Sequence, residues 1–289
     1  MSSATTIASR SQEQKEESRR AQSASSAAAR GGLLLPAWSL WRREVVRFYR
    51  MRSRVIGVIA SPVLFWLVLG SGFGSSLRTS AGAGQHYLQY FFPGAVIMIV
   101  LFTSIFTMMS VIEDRRDGFL LSVLVSPASR SAIVLGKVLG GATLATIQGF
   151  VFLAFAPAIG ARLNVLQTGE AMLAVFLVAF ALTALGFTIA WPLDSTQAFH
   201  AIINLFLIPL WMVSSALFPL SGASPWLRRV MLVNPLTYGV EALRATLFSS
   251  AAGNADMPAG ISLLILAGFS LLMFVAAFAI VSRRRTLPA

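Results

Sequence analysis

A chain of 289 residues that is 56% apolar and only 12% charged, with a mean hydropathy of +0.74, has too little polar surface to cover a water-soluble core. The lack of cysteine excludes disulfide scaffolds, zinc ribbons and thiol catalysis, and two histidines, His86 and His200, are too few for a multi-histidine metal site. An integral membrane protein remains, and its net charge of +12 reads as topology and attraction to anionic lipid, with no call for nucleic acid.

Residues 1–35, rich in Ser, Ala, Gln and Arg as far as Gly32, form a disordered tail by composition. In Pro36–Arg54, Trp38, Trp41, Val45 and Phe48 recur at helical spacing while Arg42, Arg43 and Arg47 fill the rest of the surface. That pattern predicts an amphipathic helix in the membrane interface, with rings at headgroup depth and guanidinium groups towards phosphates.

Six apolar runs are long enough to cross roughly 30 Å of hydrocarbon as helices. They are Val55–Phe73, Phe91–Ile112, Ala132–Ile159, Ala171–Trp191, Ala198–Phe218 and Ile261–Val281. Five lack any charged residue, and the third holds only Lys137, whose stem is expected to snorkel to the headgroups. With the N-terminus inside, eighteen of the 23 basic residues fall on the inner side, so both termini are expected to be cytoplasmic. Polar residues within the spans, Thr103, Thr107, Gln148 and Asn204 among them, either line a pathway or hold helices together by hydrogen bonds. Gly136 and Gly140, and the row Gly141, Ala145, Gly149, suit close helix packing.

The loop after the second span, Glu113–Arg130, opens with clustered charges: Glu113, Asp114, Arg115, Arg116 and Asp117. Gly118 follows, then Phe119, Leu120, Val123 and Leu124 at spacings compatible with one helical face, then Ser126 and Pro127, which ends the helix. Mixed signs suit docking into a partner better than adsorption to lipid. Asp194, in the short turn before the fifth span, either caps that span or touches the partner. Between the last two spans, apolar residues from Trp226 to Leu232 precede a break at Pro235 and Tyr238–Phe248 is again apolar, with Glu241 and Arg244 spaced to pair on one helix face; the alternative is a plain folded loop.

The chain carries no motor of its own. A nucleotide-binding G-x-x-x-x-G-K-[ST] loop needs a glycine where Ser131 stands and Ser or Thr where Val138 follows Lys137. The spans offer hydroxyls but no positioned base for a hydrolase.

The motif FFPG at Phe91–Gly94, the loop EDRRDGFLLSVLVSPASR, LGKVLGG at Leu135–Gly141, the run Ser195–Gly222 and NPLTYGVEALR at Asn234–Arg244 together resemble the type-2 ABC transporter permeases of bacterial exporters. The resemblance extends over about residues 36–285. It implies an all-α, six-span permease domain over 36–289 in the plasma membrane, pairing with a second permease chain, usually a copy of itself. A cytoplasmic ABC ATPase subunit would bring ATP and Mg, with no cofactor or metal in this chain. Glu113–Arg130 would be the coupling helix seated in that ATPase, and Ser221–Ser250 a re-entrant pair dipping in from outside. The cargo would be an amphipathic, lipid-like, drug-like or glycan molecule moved outward. Two other classes stand against this: a secondary transporter, which would show midplane ionisable residues or an inverted repeat, and a scaffold with no transport path.

Overall fold

The computed structural model describes residues 33–50, 56–57, 60, 63–64, 66–68, 87–125, 129–161, 163–248 and 255–283. Among these the protein is all-helical: α1 (Leu34–Arg50), α2 (Tyr87–Arg116), α3 (Phe119–Val125), α4 (Arg130–Leu153), α5 (Val165–Ala190), α6 (Thr196–Met212), α7 (Pro225–Val233), α8 (Pro235–Leu247) and α9 (Ala259–Arg283). Four of these, α2, α4, α5 and α9, are long and apolar enough to cross a membrane, and α6 is a shorter apolar helix. Residues 1–32 and most of the first apolar run lie outside the described residues, whereas Leu34 and Leu35, the end of the expected tail, are the first turn of α1. Within that run Ile56, Gly57, Ala60 and the other described positions are helical, and Trp66 meets the rings of Phe92 and Phe152 edge-on.

α2, α4 and α5 pack against one another as the core of the bundle. α2 is central, buried continuously from Phe91 to Leu101, and its 30 residues span about 45 Å at 1.5 Å per residue, more than the hydrocarbon needs. α9 covers α5, α8 fills the angle between α2, α5 and α9, and α6 leans on α2.

The fifth apolar run stops being helical earlier than the sequence predicts, and the third changes helix type on the way to its predicted end at Ile159. The third ends as an α-helix at Leu153 and continues as a 3-10 turn, Ala156–Ile159, because Pro157 and Gly160, at φ 89°, break the ladder. The fifth ends at Met212, three residues after Pro209, and the hydroxyl of Ser214 bonds back to the Trp211 carbonyl at 2.6 Å. By contrast α5 starts six residues before Ala171, where Asn164 and Gln167 form a reciprocal capping box.

Both small-residue rows are packing seams. A Cβ on Gly141 would sit 2.7 Å from Thr107 and Thr183, and one on Gly149 would sit 2.6 Å from Val175, so this row seats α4 against α2 and α5. The Gly136 and Gly140 row receives α1, because a Cβ at Gly136 would lie 2.7 Å from the Ala37 carbonyl oxygen. That neighbour is backbone and cannot swing aside. Gly136→Ala is therefore expected to destabilise the protein by about 1–3 kcal/mol as an overpacked seam. Gly268→Ala, where nothing lies within 4 Å, should be neutral or stabilising by up to about 1 kcal/mol. Denaturation of the two variants side by side in one detergent checks the difference.

Candidate functional site

The charged loop and the amphipathic helix meet at one end of the bundle. On α1, Ala37, Leu40, Glu44 and Phe48 recur three or four residues apart and are buried against α4. Glu44 stands on this otherwise apolar stripe at 4% exposure, so its charge must be met inside the protein. The partner is Lys137, one turn along α4 from the Gly140 notch, with its Nζ 2.5 Å from Glu44 Oε1. Lys137 also donates to Asp114 and, at 3.1 Å, to the Ser110 hydroxyl, both on α2. It is 1% exposed. The lysine does not snorkel, because two carboxylates and a hydroxyl within reach replace its hydration.

Asp114 joins all three helices. Arg43 grips it with two parallel hydrogen bonds of 2.7 Å, and Arg47 reaches it at 2.8 Å while holding Glu113 at 2.7 Å. Hydrogen bonding to Asp114 raises the Arg43 guanidinium above its ordinary value against the opposing pull of burial, so Arg43 stays charged at any physiological pH. Among the described residues the cluster sets three cations, Arg43, Arg47 and Lys137, against three anions, Glu44, Glu113 and Asp114. It is neutral as a unit. Removing Lys137 or Asp114, 1% and 0% exposed, upsets that balance in a dry part of the site.

The neighbouring charges fix the loop to a second place. Arg115 donates to Asp194 at 3.0 Å, to the Leu193 carbonyl at 3.2 Å and to the Trp191 carbonyl, and lies over the Trp191 ring. Arg116 donates to the Asp194 carbonyl at 3.0 Å. Asp194 therefore ties α2 to the turn between α5 and α6, and the cap of α6 is Ser195 instead. Asp117 is exposed. At Gly118 the backbone takes φ 72°, a left-handed conformation that a side chain would strain, and this turn starts α3. Phe119 lies under the Arg43 guanidinium at 3.7 Å, Leu120 is buried, and Ser122 is exposed. Ser126 and Pro127 lie outside the described residues, α3 itself closes at Val125, and Ser129 caps α4, whose first residue is Arg130.

The amphipathic helix is thus two-sided in a way its sequence did not reveal. Trp41 donates to Thr143 at 3.1 Å, Phe48 is buried, and Arg43 and Arg47 face carboxylates. Of the forecast set Trp38 and Arg42 are exposed, and Trp41, Arg43, Val45 and Arg47 are half-buried. Glu44 was the missing member of the cluster. Its signal was available: an acid on the apolar stripe of α1, and a lone lysine in a 28-residue apolar run.

Of the four polar span residues, Thr103 and Gln148 are brought together by a direct hydrogen bond. Thr107 is buried and bonds the Ser104 carbonyl of its own helix at 2.7 Å. Asn204 stands apart on the exposed face of α6, while Phe199, Ile203, Leu207 and Trp211 form the buried face. His200 packs against the Phe106 ring, and His86 lies outside the described residues.

At the opposite end of α2, a second buried ion pair joins Glu241 to Arg244 at 2.5 Å on α8. Arg244 also donates to the Ser215 carbonyl at 2.7 Å and lies over the Tyr90 ring at 4.2 Å, and Glu241 accepts from the Asp256 amide at 2.9 Å. No group of His, Cys, Asp and Glu suited to a metal ion occurs among the described residues.

The sequence profile described as ABC-2 type transporter matches residues 37–248, from α1 through α8. A putative transport permease, ycf38, of Cyanophora paradoxa is 28% identical over 207 residues, 71% of each chain. Nodulation protein J of Neorhizobium galegae is 24% identical over 259 residues, 86% of this chain and 93% of its own. The daunorubicin resistance ABC transporter permease protein DrrB1 of Streptomyces coeruleorubidus is 24% identical over 220 residues, 73% of this chain and 74% of its own.

Proposed function

The chain belongs to the ABC-2 type transporter family of membrane permeases, and from that premise we propose that it is the membrane-spanning half of an ATP-driven exporter, powered by a separate cytoplasmic ABC ATPase subunit. Six spans, both termini in the cytoplasm of the plasma membrane and a dimer of permease chains complete this reading. The basic residues of α1 and of the α2–α3 turn support placing the Asp114 end inside. The exposed apolar face of α6, with Leu205, Phe206 and Met212, offers surface to a second copy. Pro225–Leu247 is then the re-entrant pair on the outer side, with Glu241 and Arg244 neutralising each other. A relative named for daunorubicin resistance favours an amphipathic drug-like cargo, and a pathway without fixed charges suits such a molecule.

The observation that carries the proposal is the double anchorage of α3. Force arriving at Phe119–Val125 passes through Asp114 into α1 and α4, and through Arg115 into the α5–α6 turn. ATP binding draws two ATPase subunits together, each displaces its α3, and the attached helices tilt to open a path between the permease chains. Gentle purification of the tagged chain should bring down an ATPase. Replacing Arg115, Arg116 and Asp117 together with alanine should weaken permease-dependent ATP turnover by roughly 5- to 150-fold, the span of ordinary site-to-site coupling. An impermeant thiol reagent on intact cells should leave a Ser122→Cys variant unlabelled. Solute transport by the isolated chain on an ion gradient would make it a secondary transporter, and a chain that neither captures an ATPase nor carries solute would be a scaffold.

A further inference from the structure

With α1 docked on α4, its outward face carries no acidic residue but an open groove of about 690 Å³ whose wall includes Arg42, Arg43, Arg47 and Arg50 beside Trp38 and Val46. Arg42 and Arg50 are exposed. Arg43 and Arg47 spend one edge on Asp114 and Glu113, yet their side chains remain 33% and 28% exposed, so each guanidinium faces the protein on one edge and the groove on the other. Around this cationic floor, Leu34, Leu35, Trp38, Val46 and Tyr49 are 44–78% exposed. In water that apolar rim is unfavourable, whereas at the depth of lipid headgroups its rings and aliphatic chains are solvated by glycerol and acyl carbon.

We propose that this groove seats the phosphate of an anionic phospholipid. Planar guanidinium forks match phosphate oxygens two at a time; Arg42 and Arg50, which stand outside the neutral Asp114 cluster, bring the positive charge, while Arg43 and Arg47, whose Nη atoms are engaged by carboxylates, add their remaining N–H donors at the same wall. The apolar rim favours a lipid over an acidic protein surface, which would find nothing there to meet Trp38 or Leu35. A bound headgroup is also a ligand of the α1–α2 joint, since it shares Arg43 and Arg47 with the carboxylates behind them. The inference rests on placing α1 at the inner leaflet.

The chain has no cysteine, so Leu35→Cys, beside the groove but not part of its wall, gives a single thiol for a bimane label. In nanodiscs, brominated phosphatidylglycerol should quench that label at lower mole fraction than brominated phosphatidylcholine by at least about fivefold, the share of one guanidinium near a membrane surface. Arg42→Gln together with Arg50→Gln should abolish the preference. Equal quenching by both lipids would overturn the headgroup seat while leaving α1 on the bilayer. A preference cancelled by 10 mM (about ten times a millimolar affinity) inorganic phosphate would assign the groove to a free anion and overturn the lipid. No quenching by either lipid, with the label shielded only when the ATPase is added, would remove α1 from the bilayer and overturn both readings.

Discussion

Lys137→Met is expected to lower stability by about 3–5 kcal/mol, because it leaves Glu44, buried beside Asp114, with only the longer 3.8 Å pair to Arg43 among the described residues and makes a neutral cluster negative. Methionine keeps the length and packing of the stem, so the loss reports charge and not volume. For a protein of this size the apparent Tm should fall by roughly 6–20 °C. A lysine that merely reached headgroups would lose only a small fraction of this. The same variant should loosen α1 from its seam on α4, exposing Arg43 and Arg47 to trypsin. Adding Glu44→Gln to Lys137→Met should restore part of the stability, since it removes the excess charge. Denaturation and limited proteolysis of the single and double variants, in one detergent, measure both effects. Equal stability of Lys137→Met and the parent would mean that the cluster does not hold the helices.

At the other end of α2, Arg244→Met is expected to cost about 3–5 kcal/mol as well, leaving Glu241 fully buried with one amide partner. Arg244→Lys should fail to rescue it. A lysine has no planar fork to bond Glu241 and the Ser215 carbonyl together while stacking on Tyr90. Glu241→Gln with Arg244→Met should recover much of the loss, as a neutral pair needs no counter-ion. Because α2 separates Tyr90 from Asp114 by about 36 Å, the two clusters are too distant to interact, and their effects should add within about 0.5 kcal/mol.

The long apolar helices were legible because insertion into hydrocarbon leaves an unmistakable compositional trace, as in Phe91–Ile112 and Ile261–Val281. Composition overstates the helix after Pro209, whereas at Pro157 the helix tightens to 3-10 and still reaches Ile159. The Glu241–Arg244 pair was legible from its spacing alone. The Asp114 cluster was legible only in part. Asp114 and Arg43 stood out as charges, but their pairing spans 71 residues of chain, and no local pattern encodes a contact between separate helices. Arginines on an amphipathic helix look the same whether they face phosphate or carboxylate, so which face α1 turns inward had to come from its packing on Gly136 and Gly140.

The lysine that closes the cluster is synthesised 93 residues after Glu44 and 23 after Asp114. At ribosomal speeds of about 5–20 residues per second, Glu44 emerges roughly 5–20 s before its counter-ion exists. Glu44 waits in water through that whole interval and Asp114 only through its last quarter, about 1–5 s, and until then α1 lacks its seam on α4. Docking of the N-terminal helix is therefore a late event in biogenesis, completed only after the third apolar segment has been threaded, and α1 serves as the clasp on a bundle already partly assembled.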